Sequence, residues 1–207
     1  MRKHKPQTNP LSFNDTGSHI RSSSTETSDQ LRQLYPRKPK ANETVAVAVS
    51  GGVDSMVTTL LLKKDEHEVL ALHMILRPED SPEPGEHIVQ LAARLSVPLH
   101  VVDLRRPFQQ QVIKPFLEAY RRGKTPNPCV ICNPSIKFTL LQEQAVKLGA
   151  TTLATGHYVR LLRDESDGSL RLFRGRDRSK DQSYFLYRLD QAQLARTFFP
   201  LGNYLKS

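Results

Sequence analysis

Cys129 and Cys132 are separated by Val130 and Ile131 within the run Thr125-Pro126-Asn127-Pro128-Cys129-Val130-Ile131-Cys132-Asn133. Thiols at this spacing suit disulfide exchange, metal binding or nucleophilic sulfur chemistry. A structural zinc site needs four ligands, and the chain has only these 2 cysteines. His157 would add one ligand and not two, and an iron–sulfur cluster held by this chain alone falls short in the same way. Sulfur transfer therefore ranks above metal, and a pair of inert loop thiols is the plain alternative. Cys132 precedes the expected start of a helix, where the dipole would lower a thiol pKa and favour thiolate.

A second group of chemically capable residues is Ser50-Gly51-Gly52-Val53-Asp54-Ser55. It follows a β-branched run and opens a helical one. The glycines let the backbone close around phosphate oxygens, and the free N–H groups with the helix dipole hold the charge. Ser50 and Ser55 can add hydroxyl donors, and Asp54 can help place Mg²⁺, usually through water. No residue set here forms a direct protein cage for a metal. The loop lacks the Gly-Lys-Ser/Thr ending of a Walker A motif and is not a dinucleotide G-x-G-x-x-G. An ordinary strand-to-helix turn is the competing reading.

Two further motifs are weaker. In Ala154-Thr155-Gly156-His157-Tyr158, Gly156 would let a nucleotide approach the backbone closely. His157 is a possible site residue, although a lone histidine after a strand is more often structural. Lys180-Asp181-Gln182-Ser183-Tyr184 could read RNA, close on a nucleotide or be a solvated turn.

The elements that must position these residues are legible from periodicity. TVAVAV at 44–49 reads as a buried strand, 54–64 as a helix, 69–76 as a second strand and 87–95 as a short helix. Residues 99–104 read as a third strand and 108–122 as a helix kinked at Pro115. Residues 124–134 hold three prolines and both cysteines, which predicts a loop. A helix over 135–148 follows, with Ser135 as N-cap and Gly149 as its stop. Residues 151–155 form a fourth strand, 158–162 and 170–174 a hairpin, and 183–199 a partly helical amphipathic stretch. This layout is α/β with a mostly parallel sheet, which binds ligands at the carboxyl ends of its strands.

Composition sets the outer bounds. The 207 residues suffice for one domain with an extension. Residues 1–42 lack apolar periodicity and read as a basic, polar, disordered tail. That tail's Arg and Ser content faintly resembles a transit peptide, but it has no clear amphipathic face. The formal net charge of +9 fits a polyanionic partner or simple solubility. The cysteine count points to a cytoplasmic rather than a disulfide-stapled chain. No run approaches the about 20 apolar residues of a membrane span.

Taken in order, SGGVDS (50–55), TPNPCVICNPSIKF (125–138), ATGHY (154–158), KDQSYFLYRL (180–189) and FPLG (199–202) resemble the tRNA-specific 2-thiouridylase family. The first motif alone indicates only an N-type ATP-pyrophosphatase. The resemblance covers the chain from about residue 44 onward and implies an adenine-nucleotide alpha-hydrolase-like, Rossmann-like fold with helices on both faces of the sheet. It implies that ATP, with Mg²⁺, adenylates the C2 oxygen of uridine 34 in tRNA and that a cysteine persulfide, charged by an upstream donor protein, then delivers sulfur. It assigns ATP to Ala48, Val49, Ser50, Gly51, Gly52, Val53, Asp54, Ser55, Met74 after the second strand, and Gly156. Cys132 matches the nucleophile, with Cys129 as a partner thiol. Asn127, Pro128 and Cys129 match the segment that meets the target base, and Lys180, Asp181 and Gln182 a tRNA-contacting segment.

Three departures accompany the resemblance. Ala48-Val49 replaces a common Gly-Met, and Cys129 stands where many members have Asp. The family's second catalytic cysteine would lie beyond Ser207, so residues 43–207 are expected to be its catalytic domain, shortened at the C-terminus. Cys129 and Cys132 would then serve as an internal sulfur pair. The alternatives are an ATP- or tRNA-binding domain without turnover and a different ATP-pyrophosphatase.

Overall fold

Strand β1 (Thr44–Val49) divides the interior into two layers. Side chains alternate across a strand, and Val45, Val47 and Val49 pack on one face with Leu62 and Ile88, while Ala46 packs on the other with Leu72, Phe138 and Leu153. Both faces of the sheet are therefore covered, as expected of a parallel sheet. The computed structural model describes residue 39 and residues 43–80, 83–164 and 167–206. Apart from Pro39, the expected tail lies outside the described residues.

The sheet runs in the order β3-β2-β1-β4-β7, with every pairing parallel. Its strands are β1, β2 (Glu68–Ile75), β3 (Leu99–Asp103), β4 (Thr152–Ala154) and β7 (Thr197–Phe198). Helices α1 (Val53–Lys64) and α2 (Glu86–Arg94) supply Leu62 and Ile88 to the first face. The separate hairpin of β5 (Val159–Arg163) and β6 (Leu170–Arg174) matches its expectation, with Val159 paired to Arg174 and Arg163 to Leu170. Among the described residues no helix is long and apolar enough to cross a membrane.

The other face carries two longer helical segments, and both depart from expectation. The first joins α3 (Arg105–Phe108), a π-helical stretch (Gln109–Ile113) and α4 (Lys114–Arg121). The second joins α5 (Pro128–Cys132), a π-helical stretch (Asn133–Leu141) and α6 (Gln142–Lys147). The expected loop over 124–134 is thus corrected: both cysteines lie on a helix. Asn127 caps it by accepting the Cys129 N–H at 3.0 Å, and Pro128 follows at the first helical position. Pro suits that place because its missing N–H would be unpaired there anyway. Ser135 is consequently interior rather than an N-cap, and its Oγ donates to the Ile131 carbonyl at 2.7 Å. Pro115 and Pro134 each stand near the start of a helical stretch, at a junction with π geometry. An inserted residue there re-pairs the ladder that a proline interrupts.

Strand β7 departs from the expected helical pattern over 183–199. Its two residues lie in a stretch whose period looks helical, and the helical part, α7 (Gln191–Ala195), ends just before them. Gln142 ties the cysteine-bearing segment to this edge by donating to the Arg196 carbonyl at 3.2 Å.

Candidate active site

The glycine-rich loop sits at the point where strand order reverses. From β1 the chain builds β2 and β3 on one side, then crosses to β4 and β7 on the other. The carboxyl ends of β1 and β4 therefore open a crevice. Gly51 has φ +80°, the left-handed conformation that favours glycine. A Cβ there would run into the His87 ring, so the loop and α2 touch. Gly52 occupies the N-cap of α1 without a side-chain hydrogen bond. The first-turn N–H groups of α1 thus lack a side-chain acceptor, which is the arrangement that receives an anion.

Ser50 is exposed and its Oγ accepts the Gly52 N–H at 3.4 Å. Ser55 is buried and donates its hydroxyl to the Gly52 carbonyl at 2.8 Å, which makes it the brace of the loop rather than a free donor. Val53 is exposed at the loop's tip. Val49 points into the α1 and α2 layer, so only its backbone faces the crevice. Met74 lies within β2, opposite Val102, and not after the strand. It shares the opposite apolar layer with Ala48 and Cys132.

Gly156 closes the crevice from the β4 side. A Cβ on it would lie 2.9 Å from the Asp54 carbonyl carbon and 3.0 Å from both its Cβ and its oxygen. Its small size serves close packing against the start of α1. Asp54 accepts the Tyr158 hydroxyl at 3.1 Å and pairs with the Lys206 ammonium at 2.7 Å. Burial first, then this carboxylate, push the Tyr158 phenol up to about 12. Lys206 also lies 5.8 Å above the Tyr158 ring, and its backbone N–H donates to Asp177 at 2.9 Å. Lys206 therefore reaches across the loop.

Cys129 is exposed and Cys132 partly buried, and both are free thiols. One helical turn separates them, so they share a face. The expectation of an activated Cys132 is corrected: burial raises its pKa, the Lys137 charge opposes that rise, and the neighbouring Cys129 adds to it. The physical reason is position. Cys132 ends α5 and continues into further helix, so no helix N-terminus faces it. Burial lowers the Lys137 pKa, and the two thiols pull it back up. We expect limiting iodoacetamide at neutral pH to label Cys129 before Cys132, followed by peptide mass spectrometry. Lys137→Met removes the one opposing charge and should move the alkylation profile of Cys132 to higher pH. An unchanged profile would mean that Lys137 does not act on this thiol.

His157 is a wedge. Its Nδ1 shares a 2.7 Å hydrogen bond with Thr155 Oγ1, and its ring packs 6.1 Å from both Phe138 and Phe199. Burial, then Lys137, lower its pKa well below the ordinary histidine value, so it is neutral at pH 7. Lys180 is exposed, whereas Asp181 and Gln182 point inward. Asp181 accepts from the Gly175 N–H at 3.0 Å and the Ser183 hydroxyl at 2.9 Å. Gln182 accepts the Tyr158 N–H at 3.0 Å through its side chain. Asn133 donates to the Phe185 carbonyl at 3.1 Å and joins the cysteine helix to this turn.

The fold thus gathers the loop 50–55, Gly156, Tyr158 and Lys206 at one crevice, with Ala48, Met74 and Cys132 in the apolar layer beside it. Tyr158 lies within the 154–158 motif without a pattern of its own. Lys206 and His87 carry no signal in the sequence because each acts across a long sequence separation, whereas Lys137 lies inside the 125–138 motif and meets the thiols through the change of helical period.

An open glycine loop at the switch point of a parallel sheet defines an α/β domain of the Rossmann-like class. The chain belongs to the tRNA methyl transferase HUP domain family, whose model matches residues 43–207. It is 49% identical over 162 residues to the tRNA-specific 2-thiouridylase MnmA of Syntrophomonas wolfei, covering 78% of this chain and 47% of that protein. For the protein of the same name from Nitratidesulfovibrio vulgaris the identity is 48% over 163 residues, covering 79% and 47%. For tRNA-specific 2-thiouridylase MnmA 3 of Bacteroides fragilis it is 45% over 167 residues, covering 81% and 44%. The chain spans about half the length of the curated relatives it matches.

Proposed function

We propose that residues 43–207 form the nucleotide-binding and thiol-bearing part of a tRNA 2-thiouridylase acting on the wobble uridine. The observation that carries this reading is that Cys132 packs against the same apolar core as Met74 and as Ala48, which stands two residues before the open loop. An activated base in the crevice would then lie near a sulfur nucleophile. Adenylation, which ATP supplies when bound with Mg²⁺, makes the uridine C2 oxygen a leaving group. The backbone of 50–55 would hold phosphate oxygens, and Asp54, paired with Lys206 in this structure, is the residue that would help hold Mg²⁺. Gly156 and Ala48 shape the nucleotide wall.

For sulfur, the exposed Cys129 accepts the terminal sulfur of a donor protein's persulfide, and the donor keeps a thiol. That sulfur attacks C2, AMP leaves, and a C2–S–S–Cys129 bridge remains. The Cys132 thiol attacks the Cys129 sulfur as its proton passes to the departing sulfur, so that the Cys129–Cys132 disulfide forms and 2-thiouridine is released. An external thiol then reduces the pair. Asn127 and Pro128 place Cys129, while Lys180 contacts tRNA and Asp181 and Gln182 hold its turn.

The test has two stages. Calorimetry with a non-hydrolysable ATP analogue should show binding, and its absence would overturn the nucleotide reading. Incubation with a persulfide donor should add one sulfur atom to the peptide holding Cys129 and Cys132. Sulfur on neither would sink the internal pair. Binding of ATP and tRNA without thiouridine in a single turnover would assign the chain a binding role instead.

A further inference from the structure

The tight turn after Lys180 leaves its aromatic side chains outside. Ser183–Leu186 forms one 3₁₀ turn, in which side chains three residues apart eclipse. Tyr184 and Tyr187 therefore share a face, with ring centroids 5.9 Å apart and planes tilted by 38°. They are 65% and 63% exposed. Leu186, between them, is fully buried and anchors the turn. Hydrogen bonds fix its backbone as well: Phe185 N–H to the Gln182 carbonyl at 3.0 Å, and Asn133 to the Phe185 carbonyl at 3.1 Å. Asn133 follows Cys132 directly, so this aromatic face is tied to the thiol-bearing helix.

Charge tells what the face would meet. Arg176, Arg178, Lys180 and Arg188 are exposed in the same stretch. The acids among them are turned inward. Asp177 accepts the Ser179 hydroxyl at 2.7 Å and the Lys206 N–H, and Asp181 accepts from Gly175 and Ser183. Hydrogen bonds hold both carboxyls below the ordinary aspartate range, for Asp181 against an opposing push from burial. An apolar protein helix would gain nothing from the surrounding cations. A single-stranded polyanion with π faces gains from both.

We propose that Tyr184 and Tyr187 are a stacking platform for unpaired bases of the RNA substrate, set beside the cysteine helix. This inference rests on the tRNA reading above and adds to it the residues that splay and hold the bases flanking the target. Stacking on an aromatic ring tolerates any base, so the platform provides grip and position rather than sequence readout.

The probe is an anticodon stem–loop RNA, alongside a short oligouridylate, with the full chain. Tyr184→Ala and Tyr187→Ala should each weaken binding by about 5- to 150-fold, with melting temperature unchanged because both side chains are exposed. Tyr184→Phe and Tyr187→Phe should keep most of the affinity. The salt slope should be unchanged in the alanine variants but fall by about 1 in Lys180→Ala or Arg188→Ala. The chain has no tryptophan, so Tyr184→Trp gives a single indole whose emission oligouridylate should quench. Wild-type affinity in both alanine variants, with an unquenched indole, would overturn the platform and leave the face to a protein contact. If the unaltered chain binds neither RNA, the tRNA reading itself fails and the platform fails with it.

Discussion

Phe199→Ala should lower the unfolding free energy by about 3–5 kcal/mol, the range for deleting a fully buried phenylalanine ring. Phe199 has no exposed surface and meets the equally buried Phe138 edge-on at 6.0 Å. It also meets the His157 ring at 6.1 Å. These three rings join the cysteine-bearing segment to the carboxyl ends of β4 and β7. Phe138 cannot move inward without dragging the π-helical stretch that begins at Asn133, so the cavity closes only in part. Urea denaturation followed by far-UV circular dichroism should show a lower midpoint, with the m-value unchanged. The melting temperature should fall on the order of 10 °C. A loss below about 1 kcal/mol would mean that the ring cluster does not hold the two parts together. The variant should also speed the alkylation of Cys132, which packs against the same core.

The second large effect is expected at Gly156→Val. A Cβ there cannot coexist with the Asp54 backbone at 2.9–3.0 Å, so either β4 or the start of α1 must shift. Overpacking of this kind costs about 1–3 kcal/mol. The functional cost should be greater, because the displaced atoms are the first-turn N–H groups of α1. A shift of about 1 Å in such groups commonly costs on the order of 100-fold. Calorimetry with an ATP analogue should therefore show near-complete loss of binding in a chain that still folds cooperatively. Gly52→Ala is the contrast, since its Cβ would meet only Ser50 Oγ at 3.5 Å. Its melting temperature should change little. Equal ATP affinity in Gly156→Val and the parent chain would show that the crevice does not bind nucleotide where the loop opens.

The legible part of the fold follows from local physics. The β-branched run at 44–49, its Ser-Gly-Gly turn and the apolar spacing along 54–64 each prefer the structure they adopt. Strand β4 and the hairpin were equally plain, since turn residues bound them on both sides. The cysteine segment departs from its expected loop because proline is not only a helix breaker. Asn127-Pro128 is also a helix start, and that signal was present in the residues themselves. The π-helical stretches carried no such signal. An extra residue per turn becomes tolerable only where packing, here Phe138, Ile136 and Leu141 against the sheet, repays a weaker ladder.

The same division runs through the candidate site. The residue types of 50–55 and their place between a strand and a helix determine an anion-holding loop, because backbone conformation and helix dipole are local properties. Two thiols separated by two residues determine a capacity for sulfur chemistry in the same way. The tertiary structure alone decided that Gly156 packs against Asp54 and that Lys206 reaches the same carboxylate. It also decided that Cys132 is partly buried near Lys137, where burial raises its thiol pKa and the Lys137 charge opposes the rise. A thiol's pKa depends on desolvation and on charges brought from other turns, and no spacing rule contains either. The cysteine pair was visible in the chain; which thiol is exposed and which is shielded was settled only when the segment folded onto the sheet.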